Sequence, residues 1–199
     1  INIEPIYFDF ANEDEMLVGF DKIKSFKNKI DILVNNAGVI HTSIFEMSSL
    51  KKFREIYEIN FFSQIKFIQL VLKIINKDQF SSIINISSSS AEDSNFGRSI
   101  YSASKASIES LTKTLSSELS RYKIRVNAIA PGLTKTDMMT KNTSQDIVKK
   151  LEENNPLGRL GDPIDVANVT LFLASNLSSY VNGEIIRVDG GQKYSEQFR

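Results

Sequence analysis

Tyr101 and Lys105 stand four residues apart in the run SIYSASKA. On a helix that spacing puts both side chains on one face, one turn from each other. An ammonium beside a phenol favours the phenolate and draws its pKa below the ordinary value of about 10. Ser88 lies upstream, after the apolar run Ile83 to Ile86, where a strand end would deliver a hydroxyl to the same place. Together the three offer a proton donor, a charge that tunes it and a hydrogen-bond donor for a carbonyl oxygen. The Tyr-Lys pair alone is a weak signal in a chain with six tyrosines. A ring beside a snorkelling lysine is commonly mere packing, so the surroundings must carry the assignment.

Composition narrows the alternatives. The 199 residues fit one domain, with 41% hydrophobic and 24% charged residues as in ordinary soluble globular proteins. Lysines and arginines balance the acidic residues, so neither nucleic acid nor an anionic membrane is the expected partner. There is no cysteine, which excludes disulfides and thiol catalysis and matches a reducing compartment; the expected location is the cytoplasm. A histidine metal cluster is impossible with His41 alone, and no G-x-S-x-G elbow exists to present a nucleophilic serine. The apolar stretch Phe61 to Ile75 is interrupted by Gln64, Lys66, Gln69 and Lys73, an amphipathic rather than a membrane-spanning pattern.

The elements that must position Tyr101 alternate in type. Residues 3–8, IEPIYF, read as a strand, and Asn12 to Phe26 as a helix capped by Asn12 or Asp14. Lys29 to Val34 reads as a strand ending in Asn35-Asn36-Ala37-Gly38, followed by a loop over 39–47 that carries His41. Ser48-Ser49 can cap a long helix from Leu50 to about Asn76, with a break near Asn60. Then come a strand at Ile83 to Ile86, a helix from Ser99 to Tyr122 and a strand at Ile124 to Ile129 stopped by Pro131-Gly132. Thr136 to Asn155 is polar, irregular and partly helical, a flap in pattern. Pro163 to Ala174 reads as a helix with Asp162 as its cap, and Ile185 to Val188 as a last strand before Asp189-Gly190-Gly191. This rhythm predicts an α/β fold with a doubly wound parallel sheet. Ligands of such sheets bind beyond the carboxyl ends of the strands, where Asn35, Ser88, Pro131 and Asp189 fall.

With these elements in order, the chain resembles the short-chain dehydrogenase/reductase family, in particular the 3-oxoacyl-carrier-protein reductases. The matching stretches are VNNAG (34–38), EIN (58–60), IINISS (83–88), YSASK (101–105), RVNAIAPG (125–132), TKTDM (134–138), NPLGRLGDPIDVA (155–167) and NGEIIRVDGG (182–191). The resemblance implies a Rossmann-like fold and an oxidoreductase that interconverts a ketone and a secondary alcohol with NAD or NADP. It implies that Tyr101 is the acid/base, that Ser88 holds the same substrate oxygen, and that Lys105 tunes Tyr101 and binds the nicotinamide ribose. Asn60 would hold a water linking Lys105 to solvent. Asn36, Ala37 and Gly38 would lie along the adenosine ribose, Asp9 would contact adenine, and Pro131, Gly132 and Thr136 would approach the nicotinamide. The family also implies a homo-oligomer, a dimer or tetramer packed through the 101–122 helix and the last strand, acting on a small carbonyl or alcohol.

Plainer roles compete at several positions. Asp9 can be a helix cap, Asn35-Asn36 a turn, and Asn60 a helix irregularity. Ser87 and Ser88 compete for one role, with the spacing favouring Ser88. Arg159 and Asp189 read as structural, and Glu92, Asp93 and Glu109 as solvated surface. One departure from the family stands out. Its glycine-rich first turn, which binds the pyrophosphate, is not among these 199 residues, so the first strand-helix-strand unit is expected to be missing. Residues 3–8 and the strand near Ile32 would then each lack a neighbour. The alternative reading is therefore a non-catalytic homologue that no longer binds cofactor.

Overall fold

The computed structural model describes residues 3–26, 29–93, 95–136, 139 and 144–193. Four parallel strands form its sheet: β1 (Ile32–Asn35), β2 (Ser81–Ile86), β3 (Ile124–Pro131) and β4 (Ile185–Val188), in spatial order 1-2-3-4. Among the described residues six α-helices precede or connect them: α1 (Glu13–Phe26), α2 (Leu50–Tyr57), α3 (Ser63–Val71), α4 (Ser99–Ser120), α5 (Gln145–Glu153) and α6 (Pro163–Ala174). The expected doubly wound α/β architecture is present.

Alternation along the strands explains why helices cover both faces. Ile83 and Val126 point to one side, where they join Met16, Phe67, Val71 and Leu119 in one core. Ile84 and Ile129 point to the other and pack with Leu173 and Ile186. Ile83 and Ile84 are fully buried, each contributing roughly 1.5–3 kcal/mol from burial. The register sets Asn35 beside Asn85, Ile86 beside Ile129, and Pro131 beside Val188. All four strands therefore end along one rim.

The caps follow the local chemistry. Asn12 Oδ1 accepts the Asp14 and Glu15 amides at the start of α1. Ser49 Oγ accepts the Lys52 amide at α2. At α6 the Asp165 carboxylate accepts the Asp162 amide, with Pro163 in the first turn.

Two expectations fail. Residues 3–8 are not a strand: a strand needs a neighbour for its amides and carbonyls, and none among the described residues offers one. The segment is held instead by Phe8 and Phe10, whose rings meet Phe67 at 5.8 and 5.4 Å between centroids. The long helix also ends early, at Val71 rather than near Asn76, because Ile75 forms a parallel bridge with Ile30. The irregularity near Asn60 is present, as a five-residue π-helical segment, Glu58–Phe62, between α2 and α3. Of the 136–155 stretch, residues 137, 138 and 140–143 lie outside the described residues, and α5 occupies most of the remainder.

Candidate active site

Helix α4 carries Tyr101 and Lys105 on one face, as their spacing requires. Lys105 is buried, and its Nζ donates to the Ile86 carbonyl at 2.8 Å, two residues before Ser88. The same Nζ lies 6.0 Å from the Tyr101 ring centroid, at the limit of a cation–π contact. Burial pulls the Lys105 pKa down from 10.5 to about 8. Tyr101 is half-buried, and among the described residues its hydroxyl has no hydrogen-bond partner.

Ser88 sits where β2 gives way to a 3-10 turn at Ser89–Ala91. Its Oγ accepts the Ser90 amide at 3.2 Å, which sets the side chain and leaves the hydroxyl proton available to a substrate oxygen. Ser87 is committed elsewhere. Its hydroxyl lies 2.8 Å from Glu109 Oε1 and 3.2 Å from the Lys105 carbonyl, tying the end of β2 to the turn of α4 that carries Lys105. Glu109 is thus not the solvated surface residue expected. Burial raises its pKa above the ordinary carboxylate value, and the Ser87 bond opposes the rise. Its position one turn beyond Lys105 was the available signal.

Asn60 is fully buried in the π segment. Its Oδ1 accepts the Val39 amide at 2.8 Å, and its Nδ2 donates to the Val39 carbonyl at 2.9 Å and to Ser104 Oγ at 3.1 Å. A π turn is a common device for aiming one side chain out of a regular helix. Here it pins the loop after β1 to the helix bearing Tyr101. Gln64, also fully buried and read from the sequence only as a polar break in an apolar run, donates to the Ala37 carbonyl at 2.8 Å. Asn35 and Asn85 continue the tie: Asn35 Nδ2 donates to Asn85 Oδ1, and Asn85 Nδ2 to Thr112 Oγ1 on α4.

The result is a backbone cradle. Asn36, Ala37 and Gly38 stand exposed at the rim. A Cβ at Gly38 would come within 3.3 Å of both Asn60 Oδ1 and Lys105 Nζ, so a side chain there would crowd the ammonium. On the far wall, Pro131 ends β3 and the Gly132 amide donates to the Val188 carbonyl. A Cβ at Gly132 would fall 2.6 Å from Asp189 Cβ, so only glycine lets these two chains approach. Thr136 is exposed further along the same strand exit.

Asp9 is not brought into this cluster by any of its bonds. Its Oδ1 accepts the Ala11 amide at 2.8 Å in a turn leading into α1, and Asn12 serves as the cap. Ala11 does, however, line a cavity of about 410 Å³ with Val39, Ile40, Ile56 and Ile59, next to the pinned loop.

Glu92 is exposed at the surface as expected and Asp93 is half-buried, but both are paired. Arg187 of β4 donates to Asp93 through both terminal nitrogens at 3.2 Å, to Glu92 at 3.0 Å and to Asp189 at 2.8 and 3.1 Å. Arg159 forms a two-bond pair with Asp165 at 2.7 and 3.1 Å, and Asp189 pairs with Arg187.

Comparison with known proteins agrees with this fold. The family model described as enoyl-(acyl carrier protein) reductase matches residues 2–193. The 3-oxoacyl-[acyl-carrier-protein] reductase of Aquifex aeolicus is 39% identical over 186 residues, covering 94% of this chain and 75% of that protein. A solved 7α-hydroxysteroid dehydrogenase, complexed with NADH and 7-oxo glycochenodeoxycholic acid, superposes with a TM-score of 0.86 at 38% identity, covering 92% of this chain and 71% of that one. The aldohexose dehydrogenase of Thermoplasma acidophilum superposes with a TM-score of 0.87 at 27% identity, covering 94% and 77%. With a family match across nearly its whole length and a relative this similar, the chain belongs to the short-chain dehydrogenase/reductase family of oxidoreductases.

Proposed function

We propose that the protein interconverts a ketone and a secondary alcohol using NAD or NADP, with Tyr101 as the acid/base. The observation that carries this reading is the placement of Lys105. A buried ammonium is held by the Ile86 carbonyl beside the Tyr101 ring, at the strand end that also presents Ser88. In a site of low dielectric, such a charge acts strongly on a neighbouring phenol.

The dinucleotide, when bound, supplies or accepts the hydride. This chain's residues do the rest. Asn36, Ala37 and Gly38 offer exposed backbone for the adenosine side, with Asp9 beyond them, and Pro131, Gly132 and Thr136 offer the opposite wall. The absence of a Cβ at Gly38 leaves the Lys105 ammonium uncrowded, which suits a ribose hydroxyl reaching it. Lys105 binds a ribose hydroxyl and holds the Tyr101 proton in balance. Ser88 donates its free hydroxyl proton to the substrate oxygen. Tyr101 gives a proton to that oxygen in reduction and removes it in oxidation. Asn60 keeps the loop and helix in register, and holds a water that connects Lys105 to solvent.

We read residues 1–199 as one catalytic domain acting on a small carbonyl or alcohol in the cytoplasm. Among the described residues no helix is long and apolar enough to cross a membrane. Exposed Leu171, Leu177 and Tyr180 near α6 support assembly into a dimer or tetramer.

The test is Tyr101→Phe. Turnover should fall about 10³-fold, the scale of a lost general acid/base, with NADH or NADPH affinity by nicotinamide fluorescence retained. Unchanged turnover removes Tyr101 from the role. A second reading, a homologue without cofactor binding, is favoured by one observation: β1 is the edge of the sheet, with Ile32 and Val34 exposed beside the bare Asn36–Gly38 backbone. The same titration of the unmodified chain decides, since saturable binding supports the enzyme and its absence supports the second reading.

A further inference from the structure

Arg187 and its carboxylates join two walls of the crevice without lining the chemistry. The connection after β2 begins with the 3-10 turn Ser89–Ala91, whose Ser90 amide donates to Ser88 Oγ. The Ala91, Glu92 and Asp93 amides donate back to the Ser88 and Ser89 carbonyls. The Asp93 carboxylate then takes two bonds from Arg187, and Glu92 takes another. Arg187 is itself anchored by Asp189, whose chain presses on Gly132. Lys193 adds an ion pair to Glu92. The Arg187 side chain is only 17% exposed, so its guanidinium meets Asp93 and Asp189 largely out of water, while the Glu92 pair lies at the surface.

Planar guanidinium geometry suits this task. One arginine can bridge several carboxylates in fixed directions, which a lysine cannot. Burial works against the Arg187 charge, but the bonds to Asp93 and Asp189 outweigh it and raise its pKa further. The tie reaches from the third and fourth strand ends to the turn that orients the Ser88 hydroxyl. Misplacement of a catalytic group by about 1 Å can cost 10²-fold in rate, so such a tie bears on turnover.

We propose that Arg187, through Asp93, is a positioning residue that holds the Ser88 turn against the β4 wall. This rests on the reading of Ser88 as the holder of the substrate oxygen. The experiment compares Arg187→Met, Arg187→Lys and Asp93→Asn in the full chain with the double variant Arg187→Met/Asp93→Asn. Two readouts are used: amide hydrogen exchange at Ala91, Glu92 and Asp93, and the separate kcat and KM for a ketone with NADH or NADPH.

Arg187→Met should speed exchange at these amides and lower kcat about tenfold, leaving cofactor affinity unchanged. Arg187→Lys should recover part of both, and the double variant should be no worse than Arg187→Met alone. Faster exchange with unchanged kcat would overturn the positioning role and leave a purely structural tie. Unchanged exchange would overturn the tie itself. If the unmodified protein turns over no ketone, the proposed function fails, while the exchange data still judge whether Arg187 holds the turn.

Discussion

The two ends of the crevice are built to different standards. Around Lys105, three polar side chains are fixed by partners on other elements: Ile86 for its ammonium, Ser104 and Val39 for Asn60, Glu109 for Ser87. Around Asp9 the chain is exposed and its carboxylate is occupied with a local turn, whereas Asn36–Gly38, exposed at the rim, run up to Lys105, with the Ala37 carbonyl held by Gln64. Preorganised dipoles at the reacting centre need not reorganise when charge develops, and this is where burial of polar groups is worth its cost. On the proposed reading Asp9 faces the adenosine, which develops no charge in the reaction, so exposure there carries no such penalty.

Substitutions at the two ends should differ in size and kind. Lys105→Met should reduce turnover about 10²-fold and weaken cofactor binding, while leaving Tm at pH 7 unchanged or higher, because a buried charge is removed. Steady-state kinetics and thermal melts on one preparation check this, and a variant with normal turnover would erase the contrast between the ends. Asn60→Ala should destabilise the protein by about 2–3 kcal/mol through the lost Val39 and Ser104 bonds. Denaturant unfolding measures it, and a loss under 0.5 kcal/mol would mean that water replaces the amide.

The Lys105 pKa sharpens the same point. Its folded value of about 8 lies below its ordinary 10.5. Between these values the unfolded chain holds more protons than the folded one, so raising the pH through this interval favours the folded state. The Lys105 contribution to stability should therefore rise from about pH 8 to pH 10.5 and vanish in Lys105→Met. Unfolding curves across that range, compared between the two proteins, read it directly. The smallest effect is expected from Asp9→Ala. Cofactor affinity should weaken about 3- to 10-fold, the scale of one hydrogen bond, with kcat kept. An unchanged dissociation constant would take Asp9 out of the site and leave it as a turn residue.

Much of this was legible in the residues because it is local. Tyr101 and Lys105 share a helix face by spacing alone, and Asn12, Ser49 and Asp162 start helices by the chemistry of their own side chains. The break at Asn60 also announced itself within one long amphipathic run. What could not be read lies between residues far apart in the chain. Ser87 meets Glu109 across 22 positions, and Arg187 meets Asp93 across 94.

The amino-acid sequence by itself determined the types of the elements from Asn12 onward and the pairing of phenol with ammonium, since each depends on spacing within one element. Tertiary structure alone decided three further points. IEPIYF stays outside the sheet because backbone groups make a strand only with a neighbour in register. Lys105 titrates near 8 because packing removes its water. Glu92 and Asp93 are clamped to Arg187 because parallel pairing of β3 with β4 brings that strand end to the serine turn.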